Sequence, residues 1–181
     1  GFENLWGADI SETSLNDARL NCGSCNFKIL DIEKGKLNEK FDVIISMATL
    51  ELKSVRDDQA AIDNVAGMLN GGGYLILALQ HRKKYWSKLD DIYNLRRYEI
   101  PELTEKCGKA GLKMVEIFSW GWPLYSIYYR LMANAEYVNN LKGKSFVVKL
   151  ASSMLFYLFF IDDLFIASGR GRWLFGVFRL E

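Results

Sequence analysis

The sequence is poor in the residues that most often announce a function. It has one histidine, two prolines and three cysteines in 181 residues. A single histidine excludes a histidine-based metal cluster. An odd set of three cysteines does not suit a disulfide framework and fits a reducing, cytoplasmic setting. Cys22 and Cys25 enclose only Gly23 and Ser24, a spacing that resembles half of a zinc knuckle, but there is no second pair and His81 is far away in sequence. Two free thiols in a loop, and no metal, are the expectation. Charge of one sign is also lacking. The 23 basic and 22 acidic side chains nearly cancel, so no global field exists to hold a nucleic-acid backbone, and DNA or RNA is not expected as a partner.

Long apolar runs are scarce as well. The stretch from Phe146 to Phe160 has an apolar core of about a dozen residues, short of the roughly 20 needed to span a bilayer, and Lys149, Asp162 and Asp163 bracket it. It reads as a buried helix, with an interfacial helix as the alternative. The first ten residues contain Glu3 and Asp9 and have no basic start followed by an apolar run, so they do not form a signal peptide. The chain opens with Gly1 just ahead of a strand pattern, which suggests that an N-terminal piece has been cut away.

What the chain does contain is an alternation of short apolar runs with amphipathic stretches, the mark of repeated strand and helix units around a parallel sheet. Asn4 to Ile10 reads as a strand ending in an acid. Ser11 then caps a helix from about Glu12 to Asn21, with Ser14 as an alternative cap. Phe27 to Leu30 is the next strand. Phe41 to Ser46 is a continuous apolar run expected in mid-sheet, buried on both faces. Asp57 to Leu69 is a helix with its apolar stripe at Ala61, Ile62, Val65, Met68 and Leu69, followed by Gly71, Gly72 and Gly73 and a buried strand from Tyr74 to Leu79. Pro101 opens a helix over Glu102 to Ala110, Gly111 ends it, and Leu112 to Phe118 is a strand. Tyr and Phe crowd residues 124–165, and Arg172 to Leu180 is a last strand.

In an open parallel sheet, ligands lie outside the carboxyl ends of the strands. Asp9 ends the first strand, where a carboxylate can accept hydrogen bonds from both hydroxyls of a ribose, and Asp31 ends the second, placed to meet an adenine amino group.

The run Gly7 to Glu12 with Asp17, Ala18 and Arg19, then Asp31 and Ile32, Phe41 to Ser46 with Leu50 and Glu51, Met68 to Ile76, and Glu102 to Val115 together resemble the class I S-adenosylmethionine-dependent methyltransferases over about two thirds of the chain. The resemblance implies a single domain over residues 1–181, a three-layer αβα Rossmann-like sheet, mostly parallel, with family strand order 3, 2, 1, 4, 5, 7, 6 and an antiparallel last strand. The family's first strand and the glycine-rich loop after it are absent from this sequence, so strands two and four are expected to lose their shared neighbour and cofactor binding by the fragment to be weak or lost.

The implied cofactor is S-adenosylmethionine, bound by Asp9, Ile10, Asp31, Ile32, Ser46 and Met47. The implied reaction is methyl transfer to a small-molecule, lipid-precursor or sugar-linked acceptor. Leu52 departs from the pattern, since many relatives carry histidine there, and no catalytic pair with Glu51 is assigned. His81, just past the fifth family strand, is the candidate general base, with a polar loop residue as the plain alternative. Arg82, followed by Lys83 and Lys84, could hold an anionic acceptor, although such charge runs usually form a solvated face. Residues 122–170 read as an aromatic-rich helical insertion covering the substrate; Trp120, Trp122 and Tyr125, with Tyr128 and Tyr129, cluster after the sixth family strand and line an apolar pocket or simply pack beneath the C-terminal helices. Two rivals are a nucleotide-binding oxidoreductase, which Asp9 also permits, and a noncatalytic protein using the aromatic face and Lys142, Lys144 and Lys149 at a membrane surface.

Overall fold

The computed structural model describes residues 3–82, 84, 95–137, 153–154 and 156–181. Strand β1 spans Trp6–Asp9 and helix α1 spans Glu12–Asn21. The Ser11 hydroxyl accepts the Ser14 N–H at 3.2 Å, so Ser11 is the cap and Ser14 is the residue capped. Strand β2 is Asn26–Ile29, parallel to β1. Strand β3 is Phe41–Met47, α2 is Asp58–Ala66, β4 is Leu69–Gln80, α3 is Ile100–Lys109, β5 is Leu112–Trp120 and α4 is Leu124–Tyr137. A 3₁₀ segment, Phe159–Ser168, precedes the last strand, β6, Trp173–Leu180.

The sheet is in two pieces. Among the described residues one has only β1 and β2; the other has the order β3, β4, β6, β5. β3 runs parallel to β4, and β6 lies antiparallel between β4 and β5. The expected strand order is therefore present on both sides of a gap that falls between β1 and β3. This corrects the placement of Phe41 to Ser46. β3 is an edge strand of its sheet, with Val43, Ile45 and Met47 43%, 61% and 63% exposed, because it pairs on one side only. An apolar run says that a strand is suited to burial; whether it is buried depends on the neighbours that arrive.

The core lies over β4, where Leu75, Leu77 and Leu79 meet Ile62 and Val65 of α2, Leu103 and Cys107 of α3, and Leu174 and Phe178 of β6. The glycines after α2 fall within β4 as an irregularity in its pairing with β3. A side chain at Gly73 would press on the carbonyls of Asn70, Phe41 and Asp42 at 2.9–3.1 Å, so only glycine lets the strands close there. Beneath α2, the fully buried Tyr98 donates its hydroxyl to Asp58 at 2.7 Å. Lys106 Nζ also reaches Asp58 at 2.7 Å. Burial raises the Asp58 pKa, but Lys106 and Tyr98 outweigh it and hold the carboxyl below its ordinary range.

Two further expectations are overturned. Cys22 and Cys25 are joined by a disulfide, not free; the turn from the α1 C-cap into β2 brings their Cα atoms to 5.5 Å, within bridging distance. The described part of the Phe146 to Phe160 stretch is not buried: Met154, Phe156, Tyr157 and Phe160 are 60–76% exposed. An apolar stretch buries itself only where another apolar face is available, and the underside of this one is already filled by Phe159 against Tyr128 and Tyr125. Residues 146–152 and 155, including Lys149, lie outside the described residues, as do Lys83, Lys142 and Lys144. No helix among the described residues is long and apolar enough to cross a membrane.

Candidate cofactor and acceptor site

The ends of β1 and β2 are built alike. Asp9 stands at the end of β1, exposed, and its Oδ1 accepts the Ser11 N–H at 2.7 Å, a turn that launches α1. Asp9 pairs with Ile29, and its carbonyl accepts the Leu30 N–H at 3.0 Å, which sends the chain directly into Asp31. Asp31 repeats the device, accepting the Glu33 N–H at 3.1 Å and Lys34 Nζ at 2.7 Å. The Lys34 ammonium beside it holds its carboxyl below the usual range. Ile10 is 67% exposed next to Asp9, whereas Ile32 is half-buried and packs against the main core. The structure thus brings Asp9, Ile10, Asp31 and Ile32 to the carboxyl end of one parallel pair.

Ser46 and Met47 end β3. The Ser46 hydroxyl oxygen is buried and makes no hydrogen bond among the described residues, an uncommon state for a buried polar atom. Met47 is 63% exposed beside it. Glu51, in the loop that follows, is 3% exposed and accepts the Gln80 N–H at 2.6 Å, tying this loop to the end of β4. Leu52 is 36% exposed and bridges to Leu95.

His81 follows β4 but is turned inward, 2% exposed. Its Nδ1 lies 3.0 Å from the Gly171 carbonyl, which can only accept, so Nδ1 carries the proton and Nε2 faces Glu99 at 4.0 Å. Burial pushes the His81 pKa down, and the Gly171 bond and the Glu99 charge offset only part of it. The imidazole is therefore neutral at neutral pH. Arg82 has φ of 62° and donates to the Gly169 carbonyl, so its guanidinium is aimed at the loop before β6.

The aromatic residues fall into two groups. Trp120 and Tyr125 are 5.2 Å apart, with Phe159 6.1 and 5.5 Å from them. Tyr125 also accepts the Trp173 indole N–H at 3.1 Å. Trp122 pairs instead with Phe165 at 5.2 Å, and the Arg170 guanidinium sits 5.0 Å above its ring. Three residues that sequence reading missed hold this region together. Asp162, 1% exposed, accepts the N–H groups of Leu124 and Tyr125. Asp163 accepts the Trp120 indole N–H at 2.9 Å. Arg172 lies 3.9 Å over the Tyr129 ring. No local signal marks them, since each acts on a residue more than 40 positions away or nearly so.

Residues 1–77 match the family described as a methyltransferase domain. Strands β1, β2 and β3, helices α1 and α2 and most of β4 lie within that stretch. An S-adenosylmethionine-dependent methyltransferase from Mesorhizobium loti matches with a TM-score of 0.63 at 15% identity, over 99% of this chain and 81% of that one. The fold is that of the class I methyltransferases. The N-methyltransferase NodS from Bradyrhizobium japonicum, solved with S-adenosyl-L-homocysteine, matches this methyltransferase fold with a TM-score of 0.56 at 15% identity, over 98% of this chain and 66% of that one. At these identities the likeness is one of fold. A polyketide synthase-nonribosomal peptide synthetase of Aspergillus clavatus is 40% identical over 86 residues, 42% of this chain; the chain spans 2% of that relative's length.

Proposed function

We propose that this chain carries most of the catalytic domain of an S-adenosylmethionine-dependent methyltransferase acting on a small-molecule, lipid-precursor or sugar-linked acceptor. The observation that carries the reading is the pair Asp9, the last residue of β1, and Asp31, two residues past the end of the adjacent parallel β2, in a stretch that matches a methyltransferase domain. The cofactor supplies an electrophilic methyl group on a sulfonium. Asp9 accepts from the ribose hydroxyls and Asp31 from the adenine amino group, with Ile10 and Ile32 against the ring. The buried, unpartnered hydroxyl of Ser46 and the exposed Met47 beside it suit a polar ligand lying along the end of β3. These residues fit the cofactor's adenosine half.

On the acceptor side, Trp120 and Tyr125 offer aromatic surface and Arg82 a cation. For neutral His81 to take a proton from an acceptor, the loop around Gly171 has to open, because the ring is enclosed by it. The oxidoreductase alternative gains no support: the antiparallel β6 between β4 and β5 has no use in it, and residues 1–77 match a methyltransferase domain.

Calorimetric titration of S-adenosylhomocysteine into the full-length protein and its Asp9→Ala variant tests the reading. Micromolar binding weakened by about 1 to 3 kcal/mol in the variant is expected for loss of a charged hydrogen-bond acceptor. No binding by the unaltered protein would sink it.

A further inference from the structure

We propose that Cys22 and Cys25 form a reversible dithiol–disulfide site that exchanges with low-molecular-weight thiols of the glutathione class. The two close a bridge across only Gly23 and Ser24, with their Cα atoms 5.5 Å apart. A disulfide that braces a fold closes a long loop, whereas one this short removes little freedom from the unfolded chain. The bridge also lies away from the core. Neither cysteine belongs to the apolar cluster over β4, and the buried residue of the adjoining α1 is Leu15, seven positions before Cys22.

The backbone holds the pair in place without the bridge. The Cys22 N–H donates to the Ala18 carbonyl at 3.0 Å as α1 ends, and the Cys25 N–H donates to the Cys22 carbonyl at 3.4 Å. The Asn26 N–H then donates to the Leu5 carbonyl at 2.8 Å as β2 begins. Opening the bridge therefore leaves two neighbouring thiols, the arrangement in which one sulfur resolves whatever forms on the other. Access completes the site. Both cysteines are half-buried, Gly23 and Ser24 between them are exposed, and a Cβ on Gly23 would meet nothing within 4 Å, so a small thiol has a clear approach. Cys107 is the contrast: it is buried in the core, and burial pushes its thiol up to about 12, so it takes no part. The turn stands at the amino end of β2, the opposite end from Asp31, and the inference is independent of the methyl-transfer reading.

In the oxidising direction, one cysteine thiolate attacks the disulfide of oxidised glutathione and expels one glutathione thiolate. The second cysteine attacks the mixed disulfide, expels the other glutathione and forms the Cys22–Cys25 bond. Two electrons pass to glutathione, and the two cysteine protons end on the two released thiols. Reduction by two glutathione thiols is the reverse.

The test equilibrates the full-length protein in mixtures of reduced and oxidised glutathione, then alkylates free thiols and counts them by mass spectrometry. The pair is expected to pass between dithiol and disulfide, in both directions, as the ratio is varied about a hundredfold either way. Cys107 stays unlabelled until the protein is unfolded. Cys25→Ser is expected to trap one glutathione on Cys22, because no second thiol is left to expel it. Far-ultraviolet circular dichroism of the two forms is expected to coincide. A pair that stays oxidised in excess reduced glutathione, or whose reduction unfolds the protein, overturns the inference and makes the bridge a structural brace. A pair that stays reduced in excess oxidised glutathione overturns it as well. Should Cys25→Ser misfold, the titration of the unaltered protein decides alone.

Discussion

Asp162 accepts the backbone N–H of Tyr125 at 2.8 Å through one carboxylate oxygen while the other takes the Leu124 N–H at 2.8 Å. Helix α4 begins straight after Pro123, with no Ser, Thr, Asp or Asn in the residues before it to cap it locally. Its first donors are satisfied instead by an acid from the 3₁₀ segment, which also meets the positive end of the helix dipole. The aromatic layer of Trp120, Tyr125 and Phe159 thus depends on a buried carboxylate as well as on ring packing.

Asp162→Ala is expected to lower stability by about 2 kcal/mol, because two part-buried N–H groups lose their carboxylate acceptor. Asp162→Asn keeps one good acceptor and should cost less. Urea unfolding followed by tryptophan fluorescence measures both; an Ala variant within about 0.5 kcal/mol of the parent would show that the cap contributes little.

His81 gives stability a pH dependence of definite sign. Its folded pKa lies below the ordinary histidine value, about 6.5, with burial as the main cause. The unfolded chain therefore binds the proton more readily, and the contribution is whole above about pH 7 and is lost as pH falls from about 6.5 through the folded value. The parent should lose stability between about pH 7.5 and 5.5 relative to His81→Gln, whose curve lacks this slope. Parallel slopes for the two proteins would place the titration elsewhere.

Gly171→Ala should be among the most damaging single changes. Its carbonyl accepts from His81 and its N–H donates to the buried Ser119 at 3.1 Å. A Cβ there would lie under 3.0 Å from backbone atoms of Ser119 and Trp120. Backbone cannot yield as a side-chain tip can, so β5 and β6 must part at this end, at a cost of about 3 kcal/mol or more. Thermal unfolding measures it, and a fall in melting temperature of only about a degree would contradict the packing described.

The element order was readable because it rests on local rules. Ser11 before Glu12, the stripe Ala61, Ile62 and Val65, Pro101 in the first turn of α3, and Gly111 with φ of 78° each act within a few residues of themselves. So does the placing of Asp9 and Asp31 at strand ends, which follows from where the apolar runs stop. The inward turn of His81 was not readable, since it depends on Gly171, ninety residues away.

By itself, then, the sequence determined the succession of strands and helices, the methyltransferase-like order of its motifs and the acids that close β1 and β2. Tertiary structure alone decided that Cys22 meets Cys25 as a disulfide, that Asp162 caps a helix 38 positions earlier, and that Phe156 and Phe160 face outward. The physical reason is that propensity and periodicity are properties of neighbours in the chain, whereas pairing and burial depend on which surfaces come together in space. An apolar side chain states a preference for burial, and only the rest of the fold supplies the surface that meets it.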